Sequence, residues 1–162
     1  MICYFFNPVH KMPLVEVIRG LQTSDRAVLK IFELSKRLGK TPIVVKDGAG
    51  FLVNRLLMPY LNEACFLMLE GAPIELLDKT VLDFGMPMGP ATLLDEIGID
   101  VAAKVAKILH HAFGSRAEPC ELNNRLVEAK LLGKKSFKGF YIYDQATRKQ
   151  QSLNPEIYQT LA

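Results

Sequence analysis

The sequence predicts a mainly α-helical chain with a short α/β unit at its start. Three observations predict it. Residues 1–46 alternate β-branched apolar runs with one helical stretch. Residues 50–70 are apolar around the whole circumference of a helix. Beyond residue 73, apolar side chains recur at helical spacing between Gly and Pro breaks. The 162 residues are room for one domain, or one domain with an appendage.

Composition narrows the class. Apolar residues make up 49% and charged residues 23%, which favours a packed core over disorder. The net charge of +3 is too weak to argue for nucleic acid. No apolar run reaches the ~18 residues of a membrane span. Met1 to Pro8 has neither a basic leader nor an apolar h-region, so no signal peptide is expected. Cys3, Cys65 and Cys120 are odd in number and far apart, without a Cys-x-x-Cys. Neither a disulfide framework nor a zinc site is expected, no metal is predicted, and a reducing cytoplasm fits. Gly48-Ala49-Gly50 is the nearest approach to a Gly-x-Gly-x-x-Gly turn and lacks the third glycine.

The elements follow in order. Tyr4-Phe5-Phe6 and Leu14 to Ile18 read as two short strands around an Asn7-Pro8 turn. Thr23-Ser24-Asp25 offers a cap to a helix that carries Val28, Ile31, Phe32 and Leu38, and Gly39 ends it. Pro42 to Val45 is a third strand. Gly50 to Glu70 predicts a helix buried on every side, bent at Pro59. Pro73 opens the next helix, which runs to Phe84. Ala91 to Ile97 is a short helix, Asp100 caps another through Phe113, and Glu121 to Leu132 is the last long one. Lys134 to Tyr143 is a basic turn leading into an aromatic strand. Asp144 to Ser152 is expected to be polar and mobile, and Asn154 to Tyr158 starts a helix.

Few of these residues announce chemistry. Glu16 is a carboxylate among Val15, Val17 and Ile18, costly there unless partnered or facing water, and pattern alone favours an edge strand facing water. Asn54 is polar within an apolar helix: a buried amide satisfied by backbone, or a donor aimed at a ligand. His10 lies in a Pro-bounded loop. His110 and His111 point to different helix faces, so they suit a helix C-terminus better than a shared metal. Lys134, Lys135 and Lys138 could meet phosphate, although such clusters are usually solvated turns.

Six ordered blocks resemble one family. They are Phe5-Phe6-Asn7-Pro8 through Leu14-Val15-Glu16-Val17-Ile18, Gly39 to Asp47, Gly50-Phe51-Leu52-Val53-Asn54-Arg55, Phe84 to Pro90, Leu93 to Asp100, and Lys134-Lys135 through Gly139-Phe140-Tyr141. Together they resemble the 3-hydroxyacyl-CoA dehydrogenases, in particular those within bacterial multifunctional β-oxidation proteins. The resemblance implies the helical C-terminal domain of that family behind a remnant of its NAD-binding Rossmann domain. The implied boundaries are residues 1–46 for the remnant, 47–144 for a helical substrate and dimerisation domain, and 145–162 for a linker or tail.

The resemblance also implies an activity: NAD-dependent oxidation of a 3-hydroxyacyl-CoA to the 3-ketoacyl-CoA. Glu16 matches the glutamate that orients the family's catalytic histidine. Tyr4 stands where that histidine would be, and a phenol, with an ordinary pKa near ~10, is a poor base at neutral pH. Asn54 and Asn7 match substrate-binding positions. The family's phosphate-binding glycines have no counterpart, so NAD is implied for the full-length family and no cofactor is expected on this chain alone. The chain therefore reads as a fragment inactive by itself. Acyl-CoA is the implied substrate, and a homodimer or a separate Rossmann domain the implied partner; nucleic acid is not. The alternative reading is a non-catalytic helical module that dimerises through residues 50–70.

Overall fold

The computed structural model describes residues 1–161, and they fall into two units, Met1–Arg55 and the chain from Leu56 onward. In the first unit, β1 (Ile2–Phe5) pairs antiparallel with β2 (Leu14–Arg19), which pairs parallel with β3 (Thr41–Lys46). Helix α1 (Asp25–Arg37) makes the crossover between β2 and β3. Its N-terminus is capped by Ser24, whose Oγ accepts from the Ala27 N–H at 3.3 Å.

Alternation along the strands decides what each face holds. Val15 and Val17 are fully buried and cluster with Cys3, Phe5, Val28 and Ile31, so this face carries α1. Each buried valine contributes about 1.5–3 kcal/mol. Glu16 and Ile18 point to the opposite face, yet they are 1% exposed. That face is covered too.

The second unit is helical. Helix α2 (Val53–Leu69) begins in the first unit and runs into the second. It starts three residues later than expected, because Gly50 and Phe51 adopt positive φ (72° and 43°) in the turn before it. Nor is it buried on every side. Met58, Leu61, Ala64, Cys65 and Met68 form its buried face, while Leu56, Phe66 and Leu67 are exposed. Helices α3 (Ile74–Phe84), α4 (Pro90–Ile97), α5 (Ile99–Phe113) and α6 (Leu122–Glu128) follow. The cap of α5 is Gly98, not Asp100. Asp100 lies in the first turn and pairs with Lys135 instead. Helix α6 stops at Glu128, and Lys130 at φ 60° turns the chain away.

Strand β4 (Tyr141–Tyr143) pairs antiparallel with β5 (Gln150–Leu153). The stretch expected to be polar and mobile thus ends in an ordered strand. Behind it, Asn154 Nδ2 donates to Gly139 O at 2.9 Å, and α7 (Ile157–Leu161) buries Ile157 completely.

Candidate functional site

The arrangement around Glu16 is built by register. In the β1–β2 pair Tyr4 lies directly opposite Glu16, so the two side chains share one face of the sheet. The Tyr4 ring meets Phe6 edge-on at 5.1 Å and lies 6.1 Å from the Phe51 ring. The chain that leaves β3 turns over this face. Phe51 N–H donates to Gly48 O at 3.0 Å, and Arg55 ties Ala49 O through Nε and Nη2 at 3.2 and 3.0 Å. Gly48 suits this close approach, since a Cβ there would lie 2.7 Å from Arg55 Nη2.

This turn aims the first free amides of α2 at the sheet. Glu16 Oε1 accepts from Leu52 N–H at 2.8 Å and Val53 N–H at 3.1 Å. A carboxylate at a helix N-terminus satisfies donors that the helix itself cannot use and sits well in the helix dipole. The partner that Glu16 needs is therefore backbone, and the carboxylate faces protein rather than water. Phe51, a non-glycine at positive φ, closes the same corner; such strained residues gather at functional sites.

Asn54 is one residue beyond those amides, in the first turn of α2. It is half-buried, and its side-chain amide has no hydrogen-bond partner among the described residues. The structure thus brings Tyr4, Glu16 and the 51–54 segment together. Asn7 is exposed in the turn after β1, at a cis bond to Pro8, and no hydrogen bond joins it to them. His10 is likewise exposed. In the second unit, His110 Nδ1 lies 3.1 Å from Gly114 O and 3.3 Å from Glu118, as befits a histidine at a helix end. Among the described residues no group of three His, Cys, Asp or Glu could hold a metal.

Sequence reasoning missed a polar network in the second unit. Asp78 on α3 accepts from Ala91 N–H (2.8 Å), Thr92 N–H (3.1 Å), Thr92 Oγ1 (2.7 Å) and the Tyr141 hydroxyl (3.0 Å). Asp95 on α4 accepts from Phe140 N–H (3.0 Å), Tyr141 N–H (2.9 Å) and the Tyr143 hydroxyl (3.0 Å). Burial pushes the Asp95 carboxyl up to about 6, against its donors, which pull it down. Burial, and then the facing carboxylates, push both tyrosine hydroxyls up as well. Gly139 and Gly133 leave room for Asp95, since a Cβ on either would overlap it. The signal for both aspartates was their place on the inner row of an otherwise apolar helix. Every donor is spoken for, so the network reads as a clasp that docks β4 onto α3 and α4.

Residues 50–143 match the family model of the 3-hydroxyacyl-CoA dehydrogenase C-terminal domain, and residues 1–48 match that of the NAD binding domain. The chain belongs to the 3-hydroxyacyl-CoA dehydrogenase family. Among members of that family, the fatty acid oxidation complex subunit alpha of Idiomarina loihiensis is 51% identical over 158 residues, 98% of this chain and 22% of that protein. The same subunit of Vibrio cholerae is 47% identical over the same share. The chain thus spans about a fifth of the length of these relatives. The solved (S)-3-hydroxybutyryl-CoA dehydrogenase of Ralstonia eutropha is 44% identical with a TM-score of 0.84, covering 88% of this chain and 52% of that one. The 3-hydroxybutyryl-CoA dehydrogenase of Escherichia coli is 35% identical with a TM-score of 0.82, covering 95% of this chain and 34% of that one.

Proposed function

We propose that this chain is part of a dehydrogenase that oxidises a 3-hydroxyacyl-CoA to the 3-ketoacyl-CoA with NAD as hydride acceptor. The observation that carries the reading is the seat of Glu16: a buried carboxylate, opposite position 4, fixed by the Leu52 and Val53 amides next to Asn54. A carboxylate held this rigidly can orient and charge a base at position 4. In this chain that position is a phenol, which lacks the second ring nitrogen of an imidazole and cannot relay a proton between Glu16 and a hydroxyl. Asn54 has an uncommitted amide to offer a substrate oxygen. Asn7 is assigned to the substrate by family match alone.

The residues of the first unit do not fit NAD. A dinucleotide needs an uncapped helix N-terminus behind a glycine turn for its pyrophosphate. The N-terminus of α1 is taken by Ser24 Oγ, and that of α2 by the Glu16 carboxylate, which repels phosphate. No step of hydride transfer is therefore assigned to this chain's own residues. Residues 1–46 are proposed as the end of the family's Rossmann domain, 47–144 as its helical domain and 145–162 as the linker or tail behind it. The match of the two family models to 1–48 and 50–143 supports that division. A cytoplasmic location is proposed from three free cysteines, and no helix among the described residues is long and apolar enough to cross a membrane.

The test is domain complementation. NADH oxidation with a short 3-ketoacyl-CoA is followed for the chain alone, for the chain with a separately produced NAD-binding domain, and for Tyr4→His in the same mixture. The chain alone is expected to be silent. Tyr4→His with the added domain is expected to gain turnover by about two or more orders of magnitude, the usual weight of a positioned general base. No gain from that combination overturns the assignment of Tyr4 and Glu16.

A second reading, a non-catalytic helical module that pairs with a second copy, is favoured by one observation. Leu56 and Leu67 stand exposed on one face of α2, with Phe66 exposed about a quarter-turn away.

A further inference from the structure

We propose that the groove between the Lys134–Ser136 turn and the β4–β5 connection binds a diphosphate group. The groove holds about 630 Å³, and its lining includes Lys134, Lys135, Arg148 and Lys149 against one carboxylate, Glu96. Asp100 stands just outside and pairs with Lys135. Four cations less these two carboxylates leave two positive charges in excess, which suits a multiply charged anion rather than a chloride.

Three of the four cations are held, and this separates the groove from an ordinary solvated turn. Lys134 is paired with Glu96, its ammonium also 5.9 Å from the centre of the Tyr143 ring. Lys135 is paired with Asp100. The Arg148 guanidinium lies 5.9 Å over the ring of Phe137. Each contact restricts a long side chain and leaves donors open. An ammonium has three N–H groups, and a stacked guanidinium keeps its in-plane donors. Fixing them beforehand removes part of the ordering cost that an anion would otherwise meet on binding. Both members of the stacked pair, Phe137 (φ 61°) and Arg148 (φ 56°), hold left-handed backbone that non-glycine residues seldom adopt.

The remaining acid nearby does not compete. Asp144 turns its carboxylate into its own loop, where Oδ1 accepts from Ala146 N–H (3.1 Å), Thr147 N–H (2.7 Å) and Thr147 Oγ1 (2.8 Å). These same bonds shape the turn that carries Arg148 and Lys149 to the groove, and Arg148 N–H closes it on Asp144 O at 2.8 Å. A diphosphate could arrive free or as part of a nucleotide-bearing ligand, and the groove's chemistry is the same for both.

The experiment is a calorimetric titration of the whole chain with inorganic pyrophosphate, ADP and coenzyme A, at low and at raised salt. Saturable binding of pyrophosphate is expected, weakening as salt screens the cations. The double variant Arg148→Asn/Lys149→Gln removes two charges at exposed positions, and asparagine tolerates the left-handed backbone. It is expected to bind about tenfold or more weakly with an unchanged circular dichroism spectrum. Lys79→Gln/Lys107→Gln, on exposed faces of α3 and α5, removes the same charge elsewhere and is expected to bind like the parent. Tighter binding of coenzyme A or ADP than of pyrophosphate assigns the diphosphate to a larger ligand, and equal binding assigns it to the free anion. No binding of any probe overturns the proposal, as does an equal loss in both variants.

Discussion

Glu16 holds its carboxylate where water does not reach, so its two amide bonds have no substitute. Glu16→Gln keeps one oxygen as acceptor but gives up the charge at the start of α2, and ~1–2 kcal/mol of stability is expected to go with it. Glu16→Ala leaves both the partly buried Leu52 and Val53 amides without their acceptor and should cost more, ~2–4 kcal/mol. Urea midpoints of the two variants against the parent check the order. A Glu16→Ala variant as stable as the parent would mean that water replaces the carboxylate. The residue's importance was legible from the ordered blocks of sequence and not from the pattern around it. Alternation correctly sends Val15 and Val17 inward and Glu16 to the other side. It cannot tell that the turn at 48–53 folds back over that side. Asp95 was invisible for a related reason. Its donors lie 45 to 48 positions further along, beyond any helical or strand period.

Strand β4 is tied to a titrating group, Asp95. The Asp95 carboxyl, raised from its ordinary 3.8 to about 6, protonates more readily in the fold than in the unfolded chain. Its contribution is therefore fully present below pH ~4 and is lost as pH rises through about 6; the gap between the two values is worth ~3 kcal/mol. Asp95→Asn removes the titration, though its amide must face donors, so it should be less stable than the parent in acid. The difference between parent and Asp95→Asn in urea midpoints is expected to shrink steadily between pH 4 and pH 7. A difference that grows over that range would show the donors of β4 outweighing burial. The helices and strands themselves were largely legible, because Pro90 and the glycines at 85 and 98 mark real ends. What the pattern misplaced were starts and tails. Helix α2 waits for the Gly50–Phe51 turn. Gln150–Leu153, polar on every residue but the last, is a strand because β4 supplies its hydrogen bonds and Asn154 ties its far end to Gly139.

At the scale of the whole molecule, the apolar surface left over is the strongest constraint on behaviour. A buried face on α2 was expected all the way round, but Leu56, Phe66 and Leu67 are open to solvent, with Glu63 between Leu56 and Leu67 on the same face. On α3, Phe84 is 87% exposed. Each of these side chains buried against a second surface would contribute about 1.5–3 kcal/mol. Two or three of them supply ~3–9 kcal/mol before the cost of joining two molecules, which is enough only for a weak association. Glu63, on the same face, limits that association to partners that leave its charge hydrated. Weak self-association at high protein concentration is therefore expected, and it should be nearly insensitive to salt, because its driving force is apolar. Leu56→Lys places a charge on this face without touching the buried row of Met58, Leu61, Cys65 and Met68. Light scattering across a concentration series should show the parent rising in mass and Leu56→Lys remaining at the monomer. A parent that stays monomeric at every concentration would mean that this face is spared for a different chain, and the dimerising module would be discarded as a reading of the molecule.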